Sequence, residues 1–257
     1  MSLKNKILIF CEGKKWLIDK KREEFATHFG NIKITEKERK GKGEYKLVNG
    51  KKFYFFLPTI EEFLLKIKRK TQIIYPKDIS IMLFYADIKE KDKIIEAGTG
   101  SGSLLISLDT RAKKGKVITI EKREDFQKIA IENIENYFGK IPKNIEFVIG
   151  DVYDENFKLN VEENWADKIF LDLPEPWKAI KILNYLKTGG ILVNYNPQIL
   201  QIKRFVEEIK KLNFIDIKVM EILERRWIVD EKRARPEDLM RGHTGFIMMA
   251  RKVKNEK

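Results

Sequence analysis

The chain has 257 residues, 35% charged and 43% hydrophobic, with a formal net charge of +13. This length allows one large domain or a small domain beside a standard one, and apolar periodicity excludes global disorder. Cys11 is the one cysteine, which excludes an internal disulfide, and with only His28 and His243 a His/Cys metal site is not expected. The apolar stretches are too short for a membrane span or an export signal, so we expect a soluble cytoplasmic protein.

The excess positive charge is concentrated near the start of the chain. Residues 1–70 hold 19 Lys/Arg and 9 Asp/Glu, a net +10, whereas residues 71–257 carry only a net +3. Four of the five residues in the segment 66–70 are basic, namely Lys66, Lys68, Arg69 and Lys70. Uneven charge of this kind predicts a polyanionic partner such as a nucleic acid. The alternative is a lysine-rich, solvated surface on a heat-adapted protein.

Residues 1–65 have the pattern of a small, basic β-domain. Short β-rich runs alternate with charged turns, and Asn49-Gly50 is a hairpin signal. The predicted strands are Ile7–Cys11, Trp16–Ile18, Asn31–Thr35, Tyr45–Val48 and Lys52–Leu57. Pro58 ends the pattern, and Thr59 with Glu62 predicts a capped helix that runs to about Lys68.

Residues 66–257 are predicted to form a second domain, in which strands and helices alternate from about residue 76. The alternation predicts an α/β fold with a doubly wound, mainly parallel sheet. The predicted strands are Lys93–Ala97, Lys116–Ile120, Ile145–Ile149, Ala166–Leu171, Gly190–Tyr195, Ile215–Glu221 and Thr244–Arg251. The predicted helices are Ser103–Ala112, Glu124–Phe138, Trp177–Leu186 and Gln198–Leu212. Because no helix separates the last two strands, we expect them to pair antiparallel at one edge.

Ligands of doubly wound sheets bind at the carboxyl ends of the strands, and the first such end here carries a glycine loop. Gly98, Gly100 and Gly102 follow Glu96 at alternate positions, which lets the backbone turn tightly and approach a ligand closely. Ser103 stands where the NAD fingerprint needs glycine or alanine. The loop therefore resembles the S-adenosylmethionine loop of class I methyltransferases, and a turn with chance glycines is the alternative.

Two further strand ends are acidic. A carboxylate at Glu121 can accept two hydrogen bonds from ribose hydroxyls, a contact that both NAD enzymes and methyltransferases use, and a surface strand-end acid is the alternative. Asp151 ends the next strand, where an acid contacts the adenine amino group in methyltransferases, and a turn or helix cap is the alternative. Together these acids predict a ribose-bearing cofactor.

The fourth strand end is the loop Asp172–Trp177, with the sequence DLPEPW. Its two prolines stiffen the backbone just after a strand. A fixed carboxylate at Asp172 and an aromatic face at Trp177 can hold a planar base by hydrogen bonding and stacking. The loop resembles the Asp/Asn-Pro-Pro-aromatic loop of methyltransferases that act on nitrogens of bases. A proline-rich turn with a buried Trp177 is the alternative.

Three segments in order resemble the tRNA (adenine-N1) methyltransferase family, which modifies adenosine 58 in the T-loop. They are Thr71–Asp78 (TQIIYPKD), the Asp172–Trp177 loop and Arg241–Phe246 (RGHTGF), and the similarity covers essentially the whole chain. The resemblance implies S-adenosylmethionine as the cofactor, tRNA as a partner and a homotetramer. It places the catalytic Asp on Asp172 and the active-site Tyr on Tyr75.

The resemblance and the strand ends together give a set of predicted site residues. The predicted cofactor-binding residues are Glu96, Gly98, Gly100, Ser101, Gly102, Ser103, Glu121, Phe126, Asp151 and Asp172. The predicted substrate-binding residues are Tyr75, Trp177, Lys66, Lys68, Arg69 and Lys70. Core positions are the alternative for Tyr75 and Phe126, and His243 is expected to be a structural hydrogen-bonding residue.

Three other functions compete with this interpretation. The chain could methylate another RNA or another base, which the sequence leaves open. Ser103 and the Asp172 loop argue against an NAD(P)-dependent oxidoreductase. The retained acids argue against an RNA-binding module with an inactive methyltransferase fold.

Overall fold

The computed structural model describes residues 5–254 and begins with six short strands. They are β1 (Lys6–Cys11), β2 (Lys14–Asp19), β3 (Glu24–Thr27), β4 (Gly30–Lys33), β5 (Lys42–Val48) and β6 (Lys51–Phe56). Four of them form an antiparallel sheet of order β2-β1-β6-β5, and β3 pairs with β4 in a separate hairpin. Ile7, Ile9, Phe53 and Phe55 are fully buried on one face of the four-stranded sheet. The β-rich start predicted from the sequence is confirmed.

The turn between β5 and β6 lies at Asn49-Gly50, as predicted. Both residues have a left-handed backbone, with φ of 47° and 75°. Two consecutive positive φ angles match the right-handed twist of the flanking strands, which is why this pair favours two-residue hairpins.

The predicted strand Asn31–Thr35 is wrong at its carboxyl end. Strand β4 stops at Lys33, because Thr35 caps a one-turn helix, α1 (Glu36–Arg39). The Thr35 backbone N–H donates to Glu38 Oε2 at 2.8 Å, which satisfies a backbone donor that no helical carbonyl reaches.

Helix α2 (Ile60–Leu65) begins with the predicted capping box. Glu62 N–H donates to Thr59 Oγ1 at 3.2 Å, and Thr59 N–H donates to Glu62 Oε2 at 3.0 Å. The helix ends before the predicted Lys68. The backbone there is irregular, and the Lys68 carbonyl accepts a hydrogen bond from Asn133 Nδ2 at 2.8 Å.

Helix α3 (Pro76–Tyr85) was not predicted from the sequence. Tyr75 is its N-cap, and Pro76 occupies the first helical position, where a missing N–H costs nothing. The proline was therefore the available signal for this helix start.

The rest of the chain forms one large sheet with helices against it. The strands of this region are β7 (Lys93–Ala97), β8 (Lys116–Glu121), β9 (Ile145–Ile149), β10 (Ala166–Leu171), β11 (Leu186–Asn196), β12 (Phe214–Glu221), β13 (Trp227–Val229), β14 (Ala234–Pro236) and β15 (Phe246–Lys252). Of these, β13 and β14 form a separate small hairpin. The helices are α4 (Ser103–Arg111), α5 (Glu124–Phe138) and α6 (Ile199–Ile209). The large sheet has the order β12-β15-β11-β10-β7-β8-β9.

The topology of this sheet fixes where a ligand can bind. Strands β11, β10, β7, β8 and β9 are parallel, and β15 is antiparallel to both β11 and β12. The doubly wound, mainly parallel sheet and the antiparallel final pair are therefore confirmed. The chain winds outwards in opposite directions from β7 and β10, so the topological switch point lies between these two strands. One apolar cluster packs on each face of the sheet.

The predicted helix Trp177–Leu186 is wrong in type. Two short 3₁₀ segments, Pro176–Lys178 and Ile180–Tyr185, stand in its place. Ala179 N–H donates to the Pro176 carbonyl at 3.0 Å, three residues back, which is the tighter 3₁₀ spacing. None of the helices within residues 5–254 combines the length and apolar character needed to cross a membrane.

Candidate functional site

A cavity of about 410 Å³ opens at the carboxyl ends of the parallel strands, at the switch point. Four successive strand-end loops line it, contributing Gly98–Ser101, Glu121, Gly150–Asp151 and Asp172. Residues Thr71–Ile74, which precede α3, form a further part of the wall. The volume is that of a small-molecule site.

The glycine loop is held in place by backbone hydrogen bonds. Gly98 N–H and Thr99 N–H both donate to the Ile120 carbonyl, at 2.9 and 3.3 Å. Gly98 has a φ of +95°, and a Cβ built on it would lie 2.2 Å from the Asp172 carbonyl oxygen. Only glycine therefore lets the loop pass this close to the Asp172 strand end.

Glu121 links the glycine loop to the second strand end. Its carboxylate accepts Gly100 N–H at 3.0 Å and Arg123 N–H at 3.1 Å. Each carboxylate oxygen keeps a free lone pair in this arrangement, so Glu121 can still accept hydrogen bonds from hydroxyl groups in the cavity. Asp151 lies at the next strand end, where its Oδ1 accepts Tyr153 N–H at 2.9 Å.

Asp172 lines the cavity at the fourth strand end. Its backbone N–H donates to the Ala97 carbonyl at 2.9 Å, and the residue is half-buried. Burial, with a smaller contribution from the negative charge of Glu121, raises the pKa of the Asp172 carboxyl to about 7. Asp172 thus changes charge near neutral pH.

Glu96 lies beneath the cavity rather than in its lining. The residue is fully buried, Thr119 Oγ1 donates to its Oε2 at 2.5 Å, and its Oε1 has no hydrogen-bond partner. Burial raises the pKa of Glu96 to about 8; the Thr119 hydrogen bond opposes this rise, and the charges of Asp172 and Glu121 add to it. Protonation of Glu96 therefore removes one negative charge from beside the two cavity acids.

The pH dependence of stability tests the protonation of Glu96. The ordinary pKa of 4.5 applies in the unfolded chain, so the stability due to protonation is complete below about pH 4.5 and is lost as pH rises through about 8. Glu96→Gln keeps the neutral shape, so its Tm should equal that of the wild type near pH 5. It should exceed the wild type by roughly 10 °C at pH 8.5, measured by calorimetry.

Glu38→Gln is the matched control for this measurement. Burial works to raise the pKa of Glu38, but hydrogen bonds from Thr35 and Lys46 outweigh it and lower the pKa to about 2. The contribution of Glu38 should therefore be constant between pH 5 and pH 8.5. A Tm difference for Glu96→Gln that does not change over this range would contradict the protonation of Glu96.

The structure brings only part of the predicted cofactor set together. Gly98, Gly100, Ser101, Ser103, Glu121, Asp151 and Asp172 line the cavity, whereas Glu96, Gly102 and Phe126 do not. Gly102 has a left-handed backbone at the N-cap of α4. Phe126 is 7% exposed, and the Arg123 guanidinium lies 3.3 Å from its ring centroid. Arg123, which packs on the Phe126 ring, lines the cavity itself.

The predicted substrate residues lie in three different places. Tyr75 borders a second, larger groove, where the Arg241 guanidinium lies 4.2 Å from its ring centroid. Trp177 lines neither space: its ring lies under Arg204 at 4.3 Å, and its Nε1 is buried without a partner. The exposed Lys68 and Lys70 pair with Glu132 and Asp125, at 2.6 and 2.7 Å, and Lys66 and Arg69 are exposed too.

Two groups of residues near the site were missed from the sequence. Tyr153 lines the cavity, and its hydroxyl accepts Glu175 N–H at 3.0 Å, which ties the Asp151 loop to the Asp172 loop. An aromatic two residues after an acidic strand end was the signal for it. Gln72 also lines the cavity, and its Oε1 accepts a hydrogen bond from Tyr75 Oη at 3.4 Å.

The second missed group is a buried network that anchors the start of α3. Lys77 Nζ donates to Asp78 Oδ1 at 2.7 Å, to Thr244 Oγ1 at 2.6 Å and to the Ile222 carbonyl at 2.7 Å. Thr244 Oγ1 in turn donates to Asp78 Oδ2 at 2.7 Å. The network ties the helix that follows Tyr75 to the segments just after β12 and just before β15.

His243 takes the structural role predicted for it. Its two ring nitrogens lie 2.6 Å from Glu221 Oε1 and 2.7 Å from the Pro197 carbonyl oxygen. The hydrogen bond with Glu221 is the main cause that raises the pKa of His243, and the Pro197 bond adds to it.

Comparison with known proteins identifies the class of this fold and site. A crystal structure of a SAM-dependent O-methyltransferase from Thermotoga maritima superimposes with a TM-score of 0.89 at 34% identity, covering 100% of this chain and 96% of that one. The tRNA (m1A58) methyltransferase TrmI from Aquifex aeolicus gives 0.85 at 32% identity, covering 99% of both chains. The chain thus has the class I fold of S-adenosylmethionine-dependent methyltransferases.

The family follows from the sequence. The profile of the GCD14 subunit of the tRNA methyltransferase complex matches residues 51–244. The tRNA (adenine(57)-N(1)/adenine(58)-N(1))-methyltransferase TrmI of Methanocaldococcus jannaschii is 35% identical over 96% of this chain and 94% of its own. The chain belongs to this tRNA methyltransferase family.

Proposed function

We propose that this chain transfers the methyl group of S-adenosylmethionine to N1 of adenosine 58 in the T-loop of tRNA. The observation that carries the proposal is the convergence of Gly98–Ser101, Glu121, Asp151 and Asp172 on one cavity in a member of this family. Curated relatives along most of the chain are tRNA (adenine(58)-N(1))-methyltransferases. An oxidoreductase is not favoured. We also propose a cytoplasmic location.

The cavity residues fit S-adenosylmethionine, which when bound supplies an electrophilic methyl group on a sulfonium. The glycine loop offers a close backbone approach, because Gly98 and Gly100 have no side chain and a left-handed φ. Glu121 would accept hydrogen bonds from the ribose hydroxyls, and Asp151 from the adenine amino group. Ser101 and Ser103 lie in the same loop wall and complete this part of the proposed site.

Asp172 is the proposed catalytic residue. N1 of adenine has a free lone pair, so it can form the new N–C bond without prior deprotonation, while the C–S bond breaks and its electron pair stays on sulfur. The positive charge then moves onto the adenine. An ionised Asp172 near the exocyclic amino group would accept its hydrogen bond and stabilise that charge. Proton removal by a general base is not required.

Tyr75 is the proposed residue that orients the base. It stands at the border between the cavity and the large groove, because its hydroxyl reaches Gln72 while its ring faces Arg241. The target adenine is stacked in folded tRNA, so it has to be extruded before it reaches the cavity. Trp177 is not carried into this proposal, since its ring packs under Arg204.

Mapping of the product tests the proposed function. Unmodified tRNA is incubated with the chain and labelled S-adenosylmethionine, and methylated positions are located by reverse-transcription stops, which N1 methylation of adenine causes. A stop at adenosine 58 is the expected result, and a further stop at 57 would match the activity named for the M. jannaschii relative. Methylation of a ribose oxygen, a protein or a small molecule, with none on a base of tRNA, would contradict it.

The proposal includes a homotetramer. A groove of about 1450 Å³ runs between α2, α3 and the segment 224–241. Phe84 and Leu239 on its walls are 80% and 90% exposed. Large exposed apolar side chains of this kind mark interaction surfaces, and another copy of the chain is the proposed occupant. Light scattering of the wild-type chain measures the mass, and a monomer would contradict this part.

The basic segment 66–70 is proposed to contact the phosphates of tRNA, with the β-domain beside it. Replacing Lys66, Lys68, Arg69 and Lys70 with alanine should raise the KM for tRNA. It should also flatten the salt dependence of binding, by about 0.9 in the logarithmic slope for each phosphate that the variant no longer neutralises. The KM is measured at several salt concentrations.

A matched control removes four lysines at the opposite edge of the sheet. Lys89, Lys91, Lys113 and Lys114 are close in sequence to the amino ends of β7 and β8, and two of them form ion pairs, as two in the basic segment do. Their replacement with alanine should leave the salt slope unchanged. Equal slopes for both variants would make the basic segment an ordinary solvated surface.

A further inference from the structure

The outer face of the four-stranded sheet carries a continuous row of aromatic rings. Alternation along β6 places Phe53 and Phe55 in the core and leaves Tyr54 and Phe56 on the opposite face. Tyr54 stands opposite Tyr45 of β5 and opposite Phe10 of β1. The ring centroids are 6.0 Å apart for Tyr45–Tyr54, 6.4 Å for Tyr54–Phe56 and 6.5 Å for Phe10–Tyr54.

Part of this face is covered by the rest of the chain and part is open. On the β1–β2 side, Leu17 packs against the large apolar cluster, and Lys15 Nζ bonds to Glu62 Oε1 at 2.6 Å. On the β5–β6 side, Tyr45 is 54% exposed and Phe56 is 38% exposed. The inner face of the sheet has its own apolar core, so the open aromatic rings lie outside that core.

Two lysines flank the open rings. Lys52 Nζ lies 5.1 Å from the centroid of the Tyr45 ring, and Lys42 stands opposite Phe56. The nearby acid is Glu44, whose Oε2 accepts the Lys42 backbone N–H at 2.8 Å. Cores of protein–protein interfaces are depleted in lysine, whereas aromatic rings interleaved with lysines are typical of surfaces that bind single-stranded nucleic acid.

We propose that Tyr45, Tyr54 and Phe56, with Lys42 and Lys52, form a stacking platform for unpaired nucleotides of the tRNA substrate. The rings would stack on exposed bases, and the lysines would contact the adjoining phosphates. Paired RNA hides the faces of its bases, so the rings select unpaired segments outside the target adenosine. The inference rests on the proposed function for the identity of the RNA, and the platform itself is independent of the methyl transfer.

Tyr45→Ala tests the platform at its most exposed ring. It should raise the Kd for full-length unmodified tRNA about tenfold at fixed salt, the loss expected for one stacked base. Tyr45→Phe keeps the ring and should retain the wild-type Kd. Leu47→Ala, on the same strand and face and 61% exposed, removes an aliphatic side chain and should also retain it. Calorimetric binding of S-adenosylhomocysteine checks that each variant is folded.

Photocrosslinking gives a second, direct measurement. tRNA containing 5-bromouridine is irradiated with the wild-type chain, and crosslinked peptides are identified by mass spectrometry. Crosslinks within β5 and β6 are expected. A wild-type Kd for Tyr45→Ala together with no crosslinks there would overturn the platform. The platform would also be overturned if Tyr45→Ala changed the oligomer mass while keeping the wild-type tRNA affinity. That result would assign the face to contacts between copies of the chain.

These outcomes are separable from failure of the proposed function. If the wild-type chain makes no methylated adenosine 58 but Tyr45→Ala still weakens tRNA binding, the function fails and the platform stands. If the methyl group is found at adenosine 58, Tyr45→Ala binds tRNA as the wild type does and no crosslinks form within β5 and β6, the platform fails alone.

Discussion

Asp172→Asn is expected to lower the kcat of tRNA methylation by about 10²–10³-fold, the effect typical of losing one charge-stabilising group in an active site. Asparagine has nearly the same shape, and its amide oxygen can still accept a hydrogen bond, but it carries no negative charge to offset the charge developing on the adenine. The affinity for S-adenosylhomocysteine, measured by calorimetry, should stay close to that of the wild type.

The pH profile separates this electrostatic role from a structural one. The pKa of Asp172 is raised to about 7, so the carboxyl is neutral below that pH and ionised above it. The kcat of the wild type should therefore rise as pH increases through about 7 and level off above it. Because Asp172→Asn cannot ionise there, its residual kcat should lack this rise.

Glu175→Gln is the control in the same loop. Glu175 lies outside the cavity lining and bonds to Lys178 Nζ at 2.7 Å on the surface. Its replacement removes the same charge from the same loop and should leave kcat nearly unchanged. A fully active Asp172→Asn would remove Asp172 from the mechanism, and equal losses in both variants would point to a disturbed loop.

The spacing of apolar residues was sufficient to locate helix α5 and strand β7. The apolar positions of α5 recur at helical spacing, and its predicted bounds match Glu124–Phe138. The strand Lys93–Ala97 also matches, and with it the position of the glycine loop. Since the carboxyl ends of neighbouring parallel strands share one edge, the sequence predicted that Glu121, Asp151 and Asp172 lie at one site, and all three line the cavity.

The same reasoning could not separate the cavity from the layer beneath it. Strand β7 is buried on both faces, so alternation does not tell which side of the strand end Glu96 occupies. Trp177 lies in a 3₁₀ turn, Pro176–Lys178, where a longer helix was predicted, and its ring packs under Arg204. The pairing of Asp78 with Thr244 spans 166 residues and leaves no local signal.

Gly98→Ala is expected to cause the largest loss of stability and cofactor binding among single methyl additions in the cavity. The left-handed φ of +95° disfavours any side chain. In addition, the new Cβ would lie 2.2 Å from the Asp172 carbonyl oxygen, a backbone atom that cannot rotate away. This clash can be relieved only if the glycine loop and the Asp172 loop move apart. That movement would break the 2.9 Å hydrogen bond between Asp172 N–H and the Ala97 carbonyl.

Gly50→Ala separates the two causes. Gly50 also has a left-handed backbone, with a φ of +75°, but nothing lies within 4 Å of its added Cβ. The added methyl should therefore lower the free energy of unfolding only by the backbone strain it introduces, about 1–2 kcal/mol. The variant should keep the wild-type affinity for S-adenosylhomocysteine. Gly98→Ala should lose that affinity and fall well below Gly50→Ala in Tm, both measured by calorimetry. Equal Tm values and retained binding would mean that the Gly98–Asp172 approach has no part in shaping the cavity.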